Sequence, residues 1–254
     1  MLICVNKFKN SISEGPVMKT IVFDVDDTLY DLMTPFKKAV QRVFSVDYQL
    51  EDIEQLFQYF RYHSDLLFPD TETGKLPVEK MRIKRIMLAF DSINQPINQP
   101  LAVLFQEAYE IEQAQIELDP KMLEVLSWLK HHNINMAVLT NGPAQHQALK
   151  ISQLGLNQFI PCQQIFISEE VGLSKPDPRV FRYIEMVLGL SQAQDIIYIG
   201  DSFENDVIGS QSAGWQTIWL NKYRKNRSKH NYQPNYELTN GNSLLELLKK
   251  LISQ

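Results

Sequence analysis

Residues 21–28 of this chain read Ile-Val-Phe-Asp-Val-Asp-Asp-Thr, an apolar stretch that runs directly into three acids and a hydroxyl. The β-branched and aromatic residues at its start are typical of a buried strand. Carboxylates held close together repel one another unless a proton or a metal ion compensates their charge. Because oxygen ligands favour hard ions, the stretch predicts a strand that ends at a magnesium site. Taken alone, such acids are also compatible with a helix cap or a turn.

The length and charge of the chain limit the classes of protein to consider. With 254 residues and a net charge of −5, the chain is long enough for a large core and has no overall basic character. Strong binding of nucleic acid needs an extended basic surface, so we expect no nucleic-acid partner. The cysteines, Cys4 and Cys162, lie far apart and have no metal-ligand spacing. We therefore expect a reduced, cytoplasmic protein.

The first residues of the chain do not fit a membrane segment. The apolar start at residues 1–5 is followed at once by Asn6, Lys7 and Lys9, so it is too short for a signal-peptide core or a membrane span. No later apolar run reaches transmembrane length either. We expect residues 1–17 to be a disordered extension, the folded unit to begin at Met18, and the protein to have no membrane partner.

Four further apolar runs follow the first and alternate with helical patterns. The predicted strands are Asn135–Thr140, Ile165–Ser168, Ile196–Gly200 and Thr217–Leu220. The predicted helices that accompany them are Pro120–His131, Gln145–Leu154, Pro178–Leu188, Asp206–Ala213 and Leu244–Ile252. A repeat of strand and helix implies right-handed crossovers, and therefore an α/β fold with a doubly wound parallel sheet.

The interval between the first two strands does not follow this alternation. It has only helical periodicity, and two of its apolar faces comprise Met81, Ile83, Ile86, Met87 and Phe90, and Leu101, Leu104, Phe105, Ala108 and Ile111. Breaks at Pro69–Pro77 and Asn94–Pro100 are expected to separate its helices. We predict a small helical domain at residues 32–117, inserted into a core made of residues 18–31 and 118–254.

Polar residues recur where the predicted strands end. Ligands bind at the carboxyl ends of the strands in open α/β sheets, so these residues are expected to form one site. They are Asp24, Asp26 and Thr28 after the first strand, Thr140 and Asn141 after the second, Lys175 past the third, and Asp201 and Asp206 after the fourth. Phosphoryl transfer requires a metal, a cation and donors around the transferring group. A carboxylate can act as its nucleophile and a second acid can protonate the leaving group.

Four motifs in this order resemble those of the haloacid dehalogenase superfamily. They are Asp24-Val-Asp26-Asp-Thr28, Thr140-Asn141-Gly142, Lys175-Pro176 and Gly200-Asp201-Ser-Phe-Glu-Asn-Asp206. The resemblance extends from about Met18 to the last predicted helix, and it implies a Rossmann-like core with a helical cap. It also implies that Asp24 is the nucleophile and a metal ligand. Asp26 would be the general acid/base, with a backbone carbonyl that binds the metal.

The same resemblance implies roles for the other residues. Thr140 and Asn141 would bind the phosphoryl group, and Lys175 would neutralise charge on the nucleophile and the phosphate. Asp201 and Asp206 would hold Mg²⁺, the second directly or through water. Dehalogenases and phosphonate-cleaving relatives usually lack an acid two residues after the nucleophile, so Asp26 favours a phosphatase or phosphomutase.

The expected function is therefore a magnesium-dependent phosphatase that hydrolyses a small phosphorylated metabolite through an aspartyl phosphate. Residues 22–31 look most similar to nucleotidase-like and phosphoglycolate phosphatase-like members, which makes nucleoside monophosphates the first candidates, before phosphoglycolate and sugar phosphates. A phosphomutase acting on a sugar phosphate would use the same motifs. A non-catalytic protein that binds magnesium and phosphate is a further alternative. The sequence leaves both a monomer and a homodimer open.

We expect one further acid and one basic group to have structural rather than catalytic roles. Asp27 is expected to face solvent or to cap a backbone amide. A basic group in the insert is interpreted as the polar face of an amphipathic helix rather than as a set of substrate contacts. This group consists of Lys80, Arg82, Lys84 and Arg85.

Overall fold

The computed structural model describes residues 19–44, 50–224, 231–239 and 243–253. In these ranges six strands form one sheet in the order β3-β2-β1-β4-β5-β6, and all neighbouring strands are parallel. The strands are β1 Thr20–Phe23, β2 Asn135–Thr140, β3 Ile165–Ile167, β4 Ile196–Gly200, β5 Gln216–Leu220 and β6 Tyr236–Leu238. The predicted doubly wound parallel sheet is confirmed.

Helices separate the strands in the predicted manner. Among the described residues, five helices lie between β1 and β2, and four of them form the insert: α1 Met33–Val43, α2 Leu50–Glu72, α3 Val78–Ser92 and α4 Gln99–Gln113. The others are α5 Pro120–His131, α6 Ala144–Gln153, α7 Ser168–Val171, α8 Pro178–Leu188, α9 Gly209–Ser212 and α10 Leu244–Ile252. The described residues of the insert after β1 thus form helices joined by turns and loops, with no strand.

The central strands are covered on both faces. All residues of β1 and β4 are buried, which explains their nearly continuous apolar sequences. In the inserted helices, the core is built around aromatic rings. Phe36 of α1 lies 4.9 Å from Phe60 of α2 and 5.4 Å from Phe105 of α4, measured between ring centroids. These contacts join three helices of the insert into one packed unit.

The structure corrects several element boundaries. Pro69 does not end its helix, because α2 continues through it to Glu72. Leu104 and Ile111 are about half exposed, so they do not belong to the buried face of α4. The helix predicted at Asp206–Ala213 is instead a π-helical turn, Phe203–Ile208, that continues into α9.

The sequence analysis missed β6. This strand has three residues and pairs with β5 in the register Ile218↔Tyr236. It lies at the edge of the sheet and is only partly buried, so it has no apolar run from which to predict it.

Two predictions concern the chain's termini and membrane contact. The proposed disordered extension at residues 1–17 lies outside the described residues. Across the ranges that the structure describes, each helix is too short or too polar to cross a bilayer.

Candidate active site

The carboxyl ends of β1, β2 and β4 bring the predicted site residues together, except for Thr28, which is buried and lines a different cavity. Parallel pairing aligns Phe23 with Val138 of β2 and with Ile199 of β4. The backbone N–H of Asp24 then donates to the Ile199 carbonyl at 2.9 Å. Asp24 therefore follows β1 next to Thr140, the last residue of β2. The acidic loop after β4 begins at the same edge of the sheet.

Lys175 is the central cation of this site. Its Nζ donates to Asp24 Oδ1 at 2.7 Å, to Asp206 Oδ1 at 2.7 Å and to the Tyr198 hydroxyl at 2.8 Å. The side chain of Asn141 fixes the Lys175 backbone, because it accepts from the Lys175 N–H at 3.0 Å and donates to the Lys175 carbonyl at 2.8 Å. The three hydrogen bonds of Lys175 Nζ occupy all the donor positions of its ammonium group.

Burial and charge set the protonation of this group. Burial raises the pKa of Asp24 to about 7, against the opposing effect of Lys175 and with further increases from Asp206 and Asp201. Burial would lower the pKa of Lys175, yet Asp206 and Asp24 hold that pKa above its ordinary value. The lysine is therefore charged, and the acids around it contain more negative charge than one lysine balances.

Asp24, Asp201 and Asp206 form a buried group in which ligand oxygens lie within 4.8 Å of one another. Asp206 can approach only because residue 200 is glycine: a Cβ there would lie 2.2 Å from Asp206 Oδ2. The Ser202 N–H donates to the same oxygen at 2.9 Å and fixes the carboxylate. Three oxygen ligands with excess negative charge fit a hard divalent cation.

Asp26 occupies a different environment from Asp24. Its carboxylate accepts from Lys150 Nζ at 2.6 Å, from Gln147 Nε2 at 3.0 Å and from the Tyr30 hydroxyl. Burial would raise the pKa of Asp26, but the charge of Lys150 and these hydrogen bonds hold that pKa well below its ordinary value. The side chain is 20% exposed, toward the cavity, and is absent from the acidic group that fits a metal.

Sequence analysis did not identify Gln147 and Lys150, which come from α6. Gln147 Nε2 also donates to Thr140 Oγ1 at 2.8 Å and to the Asn141 carbonyl at 2.7 Å. The spacing of three residues puts Gln147 and Lys150 on one face of the helix, which is the signal that could have revealed them. Both side chains are buried, although Gln and Lys are mostly exposed in proteins, and both contact Asp26.

Asp27 is buried, so the expectation that it faces solvent is wrong. Its exposed fraction is 1%, and its φ of 61° is in the left-handed region. The Leu32 N–H lies 3.4 Å from Asp27 Oδ1, and Lys222 Nζ donates to the Asp27 carbonyl at 2.7 Å. These contacts agree with the second interpretation, in which Asp27 caps a backbone amide.

A cavity of about 160 Å³ lies above the strand ends. The core lines it with Asp24, Asp26, Thr140 and Lys175, and the inserted helices line it with Phe60, Arg61, Met81, Arg82, Arg85 and Tyr109. Its volume is below the roughly 300–1,000 Å³ of typical ligand pockets. A ligand of typical size would fit only if the inserted helices moved.

Of the four basic residues in the insert's basic group, two line this cavity and two are exposed to solvent. Arg82 and Arg85 line the cavity, which corrects the interpretation of the whole group as a solvated helix face. Lys80 and Lys84 are exposed and agree with that interpretation.

The sequence matches the family model of haloacid dehalogenase-like hydrolases over residues 18–214. The chain belongs to this family. It is therefore a hydrolase. Three of its four sequence motifs lie at the ends of β1, β2 and β4, and Lys175 reaches the same site from the loop after α7. Among curated proteins it is 27% identical to the pyrimidine 5'-nucleotidase YjjG of Escherichia coli K12, over 91% of this chain and 97% of that protein.

Solved structures share the fold. The magnesium-bound HAD-hydrolase YfnB of Bacillus subtilis superposes with a TM-score of 0.68 at 23% identity, covering 93% of this chain and 99% of that one. The L-2-haloacid dehalogenase of Xanthobacter autotrophicus gives a TM-score of 0.67 at 16% identity, covering 93% and 98%. Because both a magnesium-bound hydrolase and a dehalogenase match this well, the fold alone does not select the reaction.

Proposed function

We propose that this protein is a magnesium-dependent phosphatase that hydrolyses a small phosphate monoester through an aspartyl phosphate on Asp24. The observation that supports this most strongly is the pair of unlike acids after β1. Asp24 is buried against Lys175 and two further acids, whereas Asp26 faces the cavity beside Lys150. A nucleophile and a proton carrier need such different environments.

Asp24 is the proposed nucleophile. One of its oxygens attacks phosphorus, the bond from phosphorus to the ester oxygen breaks, and an alkoxide leaves. Water then attacks the phosphorus of the aspartyl phosphate, which releases inorganic phosphate and restores the carboxylate. Lys175, 2.7 Å from Asp24 Oδ1, offsets negative charge during both steps.

Asp24, Asp201 and Asp206 are the proposed metal ligands, with the backbone carbonyl of Asp26 as a fourth. When bound, Mg²⁺ supplies positive charge that offsets repulsion between the carboxylates and the incoming phosphate. The excess of buried acids over cations at this point supports the assignment.

Asp26 is the proposed general acid/base. Because Asp26 is held ionised, it relays a proton from the Lys150 ammonium to the leaving alkoxide, and it later returns one from the attacking water to Lys150. Lys150, 2.6 Å from Asp26 Oδ1, carries a proton within this pair and keeps the carboxylate directed at the cavity. An acid at this position also favours phosphate-ester hydrolysis over dehalogenation.

Thr140 and Asn141 are the proposed hydrogen-bond donors to phosphate on the protein side, and Lys175, whose three donor positions are occupied, offsets the charge of the phosphate. Thr140 Oγ1 accepts from Gln147, so its hydroxyl hydrogen is available to a phosphoryl oxygen. The side chain of Asn141 is committed to the Lys175 backbone, which makes its backbone N–H the proposed donor to phosphate.

Nucleoside monophosphates are the first proposed substrates, on the strength of the similarity to a pyrimidine 5'-nucleotidase. We further propose that residues 32–117 act as a cap that closes over the substrate and excludes water. A screen with Mg²⁺ against nucleotides, phosphoglycolate and sugar phosphates tests the proposal by release of inorganic phosphate. Isomerised sugar phosphate without free phosphate would instead indicate a phosphomutase.

A further inference from the structure

Three arginines line the cavity, and two of them have acidic partners. Arg61 Nη2 lies 3.9 Å from Asp201 Oδ2, and Arg82 Nη1 lies 3.1 Å from Glu110 Oε1. Arg85 differs, because in the described part of the chain no acid lies within ion-pair distance of it. Its guanidinium lines the cavity, and the carboxylate of Asp26 acts on its charge only from beyond ion-pair distance.

The contacts of Arg85 are with neutral groups. Its Nη1 lies 3.3 Å from Ser64 Oγ and its Nη2 lies 3.4 Å from Gln106 Oε1, both long for hydrogen bonds. Its buried Nε–H has no hydrogen-bond partner among the described residues. The guanidinium lies over the Phe60 ring, 4.3 Å from the centroid, which holds the group in place. The guanidinium of Arg85 is thus held in place and can still donate hydrogen bonds.

The environment of Arg85 disfavours an isolated charge. Burial lowers the pKa of Arg85 to about 10, against an opposing effect of Tyr109 and with further decreases from Arg82 and Arg61. Buried charged groups are stabilised by acceptors that replace their water. Since Arg85 shares its cavity with Asp24, the substrate is the natural source of those acceptors.

We propose that Arg85 is a specificity-determining residue that binds an oxygen acceptor on the leaving group of the substrate. This inference rests on the proposed phosphatase function. A guanidinium presents parallel N–H donors that fit two adjacent acceptor atoms, as in a carboxylate or at the carbonyl-bearing edge of a pyrimidine. The preferred substrates are phosphate monoesters whose leaving group has such an edge.

Three substrates separate this role from a structural one. Phosphoglycolate offers a carboxylate, uridine monophosphate offers ring carbonyls, and phenyl phosphate offers no acceptor on its leaving group. For the acceptor-bearing substrate that the parent prefers, Arg85→Met should lower kcat/KM by roughly 10- to 100-fold, and for phenyl phosphate by less than about threefold. The unchanged phenyl phosphate activity also reports a folded site.

Two further variants sharpen the comparison. Arg85→Lys keeps the charge and loses the planar fork, so it should retain much of the activity on a carboxylate and little on a pyrimidine edge. Lys84→Met is the matched control, since Lys84 is an exposed basic residue on the same helix. It should leave all three activities unchanged.

Equal losses by Arg85→Met on all three substrates, or no loss on any, would overturn the assignment of Arg85 while leaving the phosphatase function intact. A parent protein that releases phosphate from none of the esters would reject the phosphatase function itself, and the role of Arg85 with it.

Discussion

Lys150 Nζ lies 2.6 Å from Asp26 Oδ1, and this contact ties α6 to the loop that follows β1. The ammonium group is almost fully buried, whereas the carboxylate keeps a face toward the cavity. A buried lysine in this position determines where the Asp26 carboxylate points. The pair therefore connects the helix after β2 to the proposed proton transfer.

Replacement of Lys150 by Met should slow the reaction according to its leaving group. We expect a loss of about 10-fold or more with alkyl phosphates, because general acid catalysis contributes roughly 10²- to 10⁴-fold and Asp26 would lose its main partner. With p-nitrophenyl phosphate, whose leaving group departs without a proton, the rate should change little. Steady-state rates with both esters provide the measurement. Equal losses with both would indicate a purely structural lysine.

Stability without metal should depend on pH through Asp24. Burial raises the pKa of this carboxyl to about 7, so between its unfolded pKa near 3.8 and that value the folded state binds more protons than the unfolded state. Stability then falls as pH rises through this window. In EDTA, the melting temperature of the parent minus that of Asp24→Asn should decrease from about pH 5 to about pH 7. This difference cancels the opposite contribution of His146, whose pKa burial lowers to about 3.

Added Mg²⁺ should offset this loss, because it binds the folded acids and favours their charged form. The increase in melting temperature on adding Mg²⁺ should therefore be larger at the upper end of the pH window than at the lower end. A Mg²⁺ effect that is the same in Asp201→Asn as in the parent would contradict the assigned ligands.

Gly200→Ala should disrupt the acidic group. The new Cβ would lie 2.2 Å from Asp206 Oδ2, so the carboxylate must move away from Lys175 and from the other acids. We expect a higher Mg²⁺ requirement for activity and a loss of stability of about 1–3 kcal/mol from overpacking. Magnesium titration of the activity and thermal unfolding measure the two effects.

Gly189→Ala is the comparison for this variant. Gly189 has a φ of 65°, so alanine introduces backbone strain, but among the described residues beyond its chain neighbours no atom lies within 4 Å of the new Cβ. This variant should lose stability and keep the parent's Mg²⁺ requirement. If both variants behaved alike, the close approach of Asp206 to residue 200 would not matter for metal binding.

The sequence predicted the parts of the molecule whose signals are local. Strands such as β1 and β4 have unbroken apolar runs because both their faces are buried, and the acids that follow them mark the strand ends. The helices α5 and α8 begin with an Asp cap followed by Pro, so their first residues were predicted correctly.

Features that depend on packing between distant segments were not predictable in this way. The contact of Lys150 with Asp26 joins residues 124 positions apart, and the position of Arg85 over Phe60 depends on how α2 and α3 pack. Lys84 and Arg85 are neighbours of equal charge, yet one is exposed and the other lines the cavity. Only the fold distinguishes them.

Covalent capture of the intermediate tests the central claim most directly. The protein is mixed with Mg²⁺ and a radiolabelled phosphate ester that it hydrolyses, quenched in acid during turnover, and digested for mass spectrometry. The account predicts a hydroxylamine-sensitive phosphoryl group on Asp24, absent from Asp24→Asn. Label on a different residue, or undiminished turnover by Asp24→Asn, would contradict it.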